Sequence, residues 1–138
     1  MAFQVELVSP ETSLYSGEGT QVVARTRGGG EIAFLTGHEP FVGSLQASEV
    51  RVSETGGQVQ SFAVRSGFVS VSGDKVTVLS DEAMPTSAID LDAARTDLDA
   101  AQAALNINPD DSYAREDVRW AELRVRLATV GGGGAAHH

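Results

Sequence analysis

Apolar and polar residues alternate one by one through the first part of this chain, and a repeat of three and four replaces that alternation further on. Phe3, Val5 and Leu7 alternate with polar neighbours, as do Val50 and Val52, Phe62 and Val64, Val69 and Val71, and Val76 and Val78. A period of two sends every second side chain to the same face, which is the pattern of a half-buried strand. Turn signals separate these runs at Ser16-Gly17, Gly28-Gly29-Gly30, Gly56-Gly57, Ser66-Gly67 and Gly73-Asp74, close enough to join antiparallel neighbours by hairpins. Thr20 to Thr26, Glu31 to Leu35 and Phe41 to Gln46 fill the middle. The pattern predicts about eight to ten short strands between residues 2 and 84, packed as a sandwich or flattened barrel.

The change comes at Met84-Pro85. Ser87 with Asp90 three residues later fits a capping box, so a helix is expected to begin near Ala88. Its apolar positions Leu91, Ala94, Leu98, Ala101 and Leu105 form a narrow seam suited to one partner. The run Asn106-Ile107-Asn108-Pro109-Asp110-Asp111 stops this helix. Asn108 is expected to cap the next one, with Pro109 in its first position and the aspartates at its positive end. That second helix is read over Pro109 to Thr129, with Trp120, Leu123, Leu127 and Val130 on one stripe and Ala114, Val118, Ala121 and Val125 on the next. The short link makes the pair an antiparallel hairpin. Two helices alone cannot bury both apolar faces, so the hairpin is expected to lean on the β-module or on another protein. The chain thus reads as a β-module over 1–85, a helical hairpin over 86–130 and a glycine-rich, flexible tail over 131–138.

Charge and composition narrow the function. Lys plus Arg number 10 against 19 Asp plus Glu, a formal net charge of -9, which argues against a nucleic-acid backbone as partner. Charges also sort by helix: Asp90, Asp92, Asp97 and Asp99 mark the first, while Arg115, Arg119, Arg124 and Arg126 mark the second. Cysteine is absent, and His38 is the sole histidine outside the tail, so neither a thiolate nucleophile nor a three-ligand zinc site is expected. Ser44 and Ser66 lack a nucleophile-elbow context, and no Walker or dinucleotide glycine pattern occurs. The residues therefore assemble no catalytic site. The first residues carry no signal-peptide pattern, and no stretch approaches the roughly 20 apolar residues of a membrane span, so an unexported protein is expected.

The segment from Gly30 to Val42, Gly-Glu-Ile-Ala-Phe-Leu-Thr-Gly-His-Glu-Pro-Phe-Val, resembles a signature of the epsilon subunit of F-type ATP synthases. So do Leu7-Val8-Ser9-Pro10-Glu11 with Leu14-Tyr15-Ser16-Gly17, Ser66-Gly67-Phe68-Val69-Ser70-Val71, and Val76-Thr77-Val78-Leu79-Ser80-Asp81. The chain departs from that signature at Ala33, where the family usually has glycine, and at Thr36, where it usually has proline. The resemblance implies a mainly β protein with added α: an N-terminal ten-stranded β-sandwich followed by a C-terminal antiparallel two-helix hairpin. It implies a non-catalytic rotor subunit with no required cofactor, peripheral to the membrane on the cytoplasmic face of a bacterial plasma membrane. The implied partners are the gamma subunit, the c-subunit ring and, when the hairpin extends, the alpha/beta catalytic head. By motif, Gly29, Gly30 and Glu31 would face the ring, and His38, Glu39, Pro40 and Phe41 the gamma subunit. Leu91, Asp92 and Arg95 match a family pattern for regulatory ATP, except that Thr96 replaces its last alanine. Arg115, Arg119, Arg124 and Arg126 are expected to meet a catalytic beta subunit and restrain hydrolysis. The competing expectation is a free-standing β-sandwich binding module that dimerises through the Leu91, Leu98 and Leu105 seam.

Overall fold

The computed structural model describes residues 2–28, 30–35, 37 and 39–135, with residues 130–135 described by their backbone alone. Two compact units divide the chain, Met1–Pro85 and Thr86–His138.

Among its described residues the first unit holds nine strands: β1 (Phe3–Val8), β2 (Ser13–Thr26), β3 (Gly30–Leu35), β4 (Phe41–Leu45), β5 (Ser48–Glu54), β6 (Val59–Val64), β7 (Gly67–Ser72), β8 (Lys75–Ser80) and β9 (Ala83–Pro85). One sheet runs β1-β8-β7-β4, with β1 parallel to β8 and the other neighbours antiparallel. The second runs β3-β2-β5-β6-β9, antiparallel throughout. Strand β2 belongs to both. Its first half pairs with β1, from Phe3↔Gly19 to Val8↔Ser13, and its second half lies between β3 and β5, where Val22 faces both Phe34 and Val52. A register shift between Gly19 and Gln21 turns the strand at the handover. One strand of 14 residues thus serves two sheets, which is why nine strands stand where ten were expected.

The alternating residues meet between the sheets. Phe3, Val5, Leu7, Val22, Ala24, Phe34, Leu45, Val50, Val52, Phe62, Val64, Val69, Val71, Val76 and Val78 form one buried cluster. β-branched valine dominates it because a branched side chain packs well on a pleated surface. The core's polar members are satisfied: Thr26 donates to the Gly30 carbonyl at 3.2 Å, Ser48 to that of Gln46 at 2.9 Å and Ser80 to that of Ser66 at 2.6 Å. At the rim, Tyr15 sets its ring edge-on to Phe62, with centroids 5.6 Å apart, and donates its hydroxyl to Glu54 at 2.6 Å. Loss of water, then the bond to Glu54 and its charge, push the Tyr15 phenol from 10.0 up to about 12. Gly67 opens β7 with φ +153, and a Cβ there would run into the Leu79 carbonyl of β8. Only glycine fits at that crossing.

In the second unit, a 3₁₀ turn at Thr86–Ala88 precedes α1 (Leu91–Ile107) and α2 (Ser112–Ala135). The caps differ from the sequence expectation. Ser87 lies inside the 3₁₀ turn, and Asp90 itself caps α1, its carboxylate accepting from the Ala93 amide at 3.1 Å. Asn108 closes α1 rather than opening α2: its amide donates to the Ala104 carbonyl at 3.1 Å. Asp111 caps α2 instead, accepting from the Tyr113 and Ala114 amides at 3.0 and 3.1 Å. Both helices therefore start three residues later than expected, because an aspartate adjacent to the first turn outcompetes the earlier Ser and Asn for the free amides. At its far end α2 continues past Thr129 through Gly131 to Ala135. Glycine is about 1 kcal/mol poorer than alanine in a helix, so these are its weakest turns. Ala136, His137 and His138 of the expected tail lie outside the described residues.

Candidate functional site

Charge clusters on the outer face of the second sheet. Glu31 stands opposite Arg25 across the β2–β3 ladder, and its two carboxylate oxygens lie 3.8 Å from Arg25 and 3.8 Å from Arg51. Arg51 also reaches Glu49 at 3.1 Å, and Glu49 accepts from Ser61. Two arginines already attend Glu31, so an outside cation would have to compete with a neutralised group, each bridge half-exposed and individually weak. Gly30 precedes it at φ +72, turning the chain into β3. Gly29 lies outside the described residues.

Beyond β3, Glu39 and Pro40 are exposed on the approach to β4, and His38 lies outside the described residues. Phe41 turns inward. Its ring lies 5.5 Å from that of Phe34 and packs against the core, so it anchors the loop that carries Glu39 and Pro40. By strand alternation the next residue, Val42, points out and is 74% exposed.

Val42 is one corner of an apolar patch. Phe68 of β7 lies opposite Leu79 of β8, which pairs in turn with Val8 of β1, so the three share one outward row across the first sheet. Phe68 is 54% and Leu79 48% exposed. Val42, opposite Ser70, is the diagonal neighbour of Phe68. Beside this row a groove of about 190 Å³ is lined by Val8, Pro10, Gly67, Phe68, Leu79 and Asp81 among others. The inward residues of the same strands already close the core, so these outward side chains have no packing duty within the sandwich. A contiguous apolar row left in solvent marks a surface for a partner. Its signal was present in the sequence, in the bulky Phe68 and Leu79 at the polar beats of two otherwise alternating strands.

In the hairpin, Leu91 is half-buried, whereas Asp92 and Arg95 are exposed one turn apart and make no ion pair or hydrogen bond between their side chains among the described residues. The four arginines of α2 separate into two groups. At 100° per residue Arg115, Arg119 and Arg126 fall within about 40° of one another, and Arg124 lies roughly opposite. The three are exposed, with Arg115 also donating to the Pro109 carbonyl at 2.9 Å. Arg124 turns inside. Its side chain is 11% exposed, pairs with Asp97 of α1 at 2.9 Å and lies 5.3 Å from the centroid of the buried Trp120 ring.

A family model for the β-sandwich domain of the ATP synthase delta/epsilon chain matches residues 2–86. The ATP synthase epsilon chain of Streptomyces griseus is 35% identical over 126 residues, covering 91% of this chain and 94% of that one. The epsilon chain of Desulfitobacterium hafniense is 37% identical over 130 residues, with 93% and 92% covered. This chain belongs to the ATP synthase epsilon chain family. As an epsilon chain it is a non-catalytic subunit. A chain of the mitochondrial ATP synthase of Euglena gracilis, solved as OSCP/F1/c-ring, has the same fold, with a TM-score of 0.76 and 22% identity over 99% of this chain and 82% of its own. A chain from the central stalk/c-ring of the Tetrahymena thermophila enzyme aligns more loosely, with a TM-score of 0.54, 14% identity, and 93% and 94% covered. No helix among the described residues of this epsilon chain is long and apolar enough to cross a membrane, and no group of His, Cys, Asp or Glu among them is arranged to hold a metal ion.

Proposed function

We propose that this chain is a rotor subunit of the central stalk, whose sandwich docks onto the gamma subunit through the Val42, Phe68, Leu79 and Val8 row and couples proton flow to ATP synthesis. The observation that carries it is the exposed apolar row on a sheet whose inner face is already complete. A shaft partner supplies the missing cover, since apolar area removed from water favours association by about 25 cal/mol per Å². Glu39 and Pro40 border the same β4 edge and would lie beside the contact. The Gly30–Glu31 turn belongs to the other sheet and suits the polar loops of the c ring, where Glu31 with Arg25 and Arg51 offers a mixed-charge surface. The subunit is peripheral, on the cytoplasmic face of the membrane.

The hairpin is the regulatory part of this proposal. Arg115, Arg119 and Arg126 form an exposed basic stripe fit for an acidic segment of the catalytic head. Their replacement by alanine would raise ATP hydrolysis in the assembled enzyme, and unchanged hydrolysis would remove this role. Asp92 and Arg95 are where regulatory ATP would bind; calorimetry on the isolated chain tests it, and no heat at millimolar nucleotide ends it. The stalk proposal itself is tested by co-purification with a tagged chain. Recovery of gamma supports it, and recovery of self-associated chain alone would favour a dimerising module. In support of the stalk reading, Ala94 and Ala101, which lie between Leu91, Leu98 and Leu105 on the same helix, are already buried where α1 packs on α2 of the same chain.

A further inference from the structure

We infer that Arg124 is a latch between the two helices, closed by Asp97 and Trp120, and that its release both frees the hairpin and presents a fourth cation. Three observations converge on this one side chain. Its Nη2 donates to the Asp97 carboxylate at 2.9 Å, its guanidinium lies 5.3 Å from the Trp120 ring centroid, and its Nε is buried with no hydrogen-bond partner among the described residues. A guanidinium has five N–H donors and no way of losing its charge. The closed hairpin leaves one of those donors unsatisfied and relies on a single carboxylate, itself 57% exposed, for charge compensation. Parting the helices returns every donor to water. The closed state is therefore held by a small balance of opposing terms, which is the condition for a two-state element.

The same geometry makes the two halves of the pair unequal. Removing Asp97 strands a buried cation, whereas replacing Arg124 with an apolar chain of similar length removes the unsatisfied donor along with the charge and keeps Trp120 covered. A pair that merely decorated the surface would show neither effect. Arg124 also lies on the opposite side of α2 from Arg115, Arg119 and Arg126, so the closed hairpin withholds it from any partner that reads the exposed stripe. This last consequence rests on the regulatory reading of the hairpin; the latch does not.

The chain has no cysteine, so Ala93→Cys with Thr129→Cys gives a clean pair of sites, both exposed and far from the turn that joins the helices. Nitroxide labels on this pair in the full chain report the ratio of open to closed hairpins from their distance distribution. Asp97→Asn is expected to raise that ratio about tenfold, the factor that corresponds to 1.4 kcal/mol, and Asp97→Glu to restore it. Arg124→Met is expected to leave the ratio at or below that of the unsubstituted chain, and the double variant to behave like Arg124→Met alone. Equal ratios for Asp97→Asn and the unsubstituted chain would overturn the latch, as would a double variant as open as Asp97→Asn. Far-UV circular dichroism separates opening from unfolding, and should Asp97→Asn unfold, Arg124→Lys, which loses the planar stacking, carries the test with an expected rise in the same direction. Altered ratios without any change in ATP hydrolysis by the assembled enzyme would leave the latch standing and sink the regulatory reading.

Discussion

Phe68→Thr tests the docking row directly. Phe68 lies on the outer face of β7 and is 54% exposed, so the substitution touches a partner more than it touches the core. A phenylalanine offers about 200 Å² of surface, of which roughly 110 Å² is available here, and threonine retains part of it. The loss is about 80 Å², or ~2 kcal/mol at ~25 cal/mol per Å², which corresponds to about a thirtyfold weaker complex. Threonine preserves strand propensity, and a half-exposed site away from the core keeps the folding cost to about 0.5 kcal/mol. The assay is a titration of the isolated chain with purified gamma subunit, followed by the change in label fluorescence or by heat. Val59→Thr is the control: Val59 is 57% exposed but belongs to β6 of the other sheet. Affinity within about twofold of the unsubstituted chain for Phe68→Thr, or an equal loss for Val59→Thr, would refute the assignment of the row to that contact.

Three further outcomes follow from the geometry. Gly67→Ala should destabilise the sandwich by about 2 to 3 kcal/mol, because the new methyl meets the Leu79 carbonyl at a positive φ; urea unfolding checks it, and an unshifted midpoint would contradict the packing described. Asp111→Ala should cost the hairpin about 1 kcal/mol and Ser87→Ala close to nothing, measured by thermal loss of helical signal; the reverse order would restore the sequence expectation of the caps. Tyr15→Phe concerns pH. Because the folded phenol is raised from 10.0 to about 12, its stabilisation is fully present below pH 10 and fades as pH rises through 12. Tyr15→Phe, which removes the hydroxyl bond to Glu54, should be less stable at pH 7, and its deficit should shrink as pH rises from 10 through 12; a deficit constant over that range would show that folding does not raise the phenol.

The strands were legible because alternation is a local code. Val69, Val71, Val76 and Val78 can lie on one face in only one register, so residue order alone predicts both the element and its buried side. Caps were less legible. Ser87, Asp90, Asn108 and Asp111 are all competent acceptors, and which of them takes the free amides depends on where the backbone first becomes helical, a matter of one or two residues that side-chain identity does not encode. The exposed apolar row had a visible trace, since Phe68 and Leu79 break the polar beat, but their adjacency requires the β7–β8 and β1–β8 pairings, and the second of these joins strands far apart in the chain.

Residue order alone carries the two-part organisation, the β character of the first part, the helical pair in the second and, through its motifs, the family. Which charges are spoken for emerges only once the chain is folded. Glu31 reads as a free acid until β2 and β5 bring Arg25 and Arg51 to it, and Arg124 reads as one of four equal arginines until α1 places Asp97 against it. Range makes the difference: periodicity is written in neighbouring residues, whereas electrostatic partnership depends on which distant segments packing brings within a few ångströms.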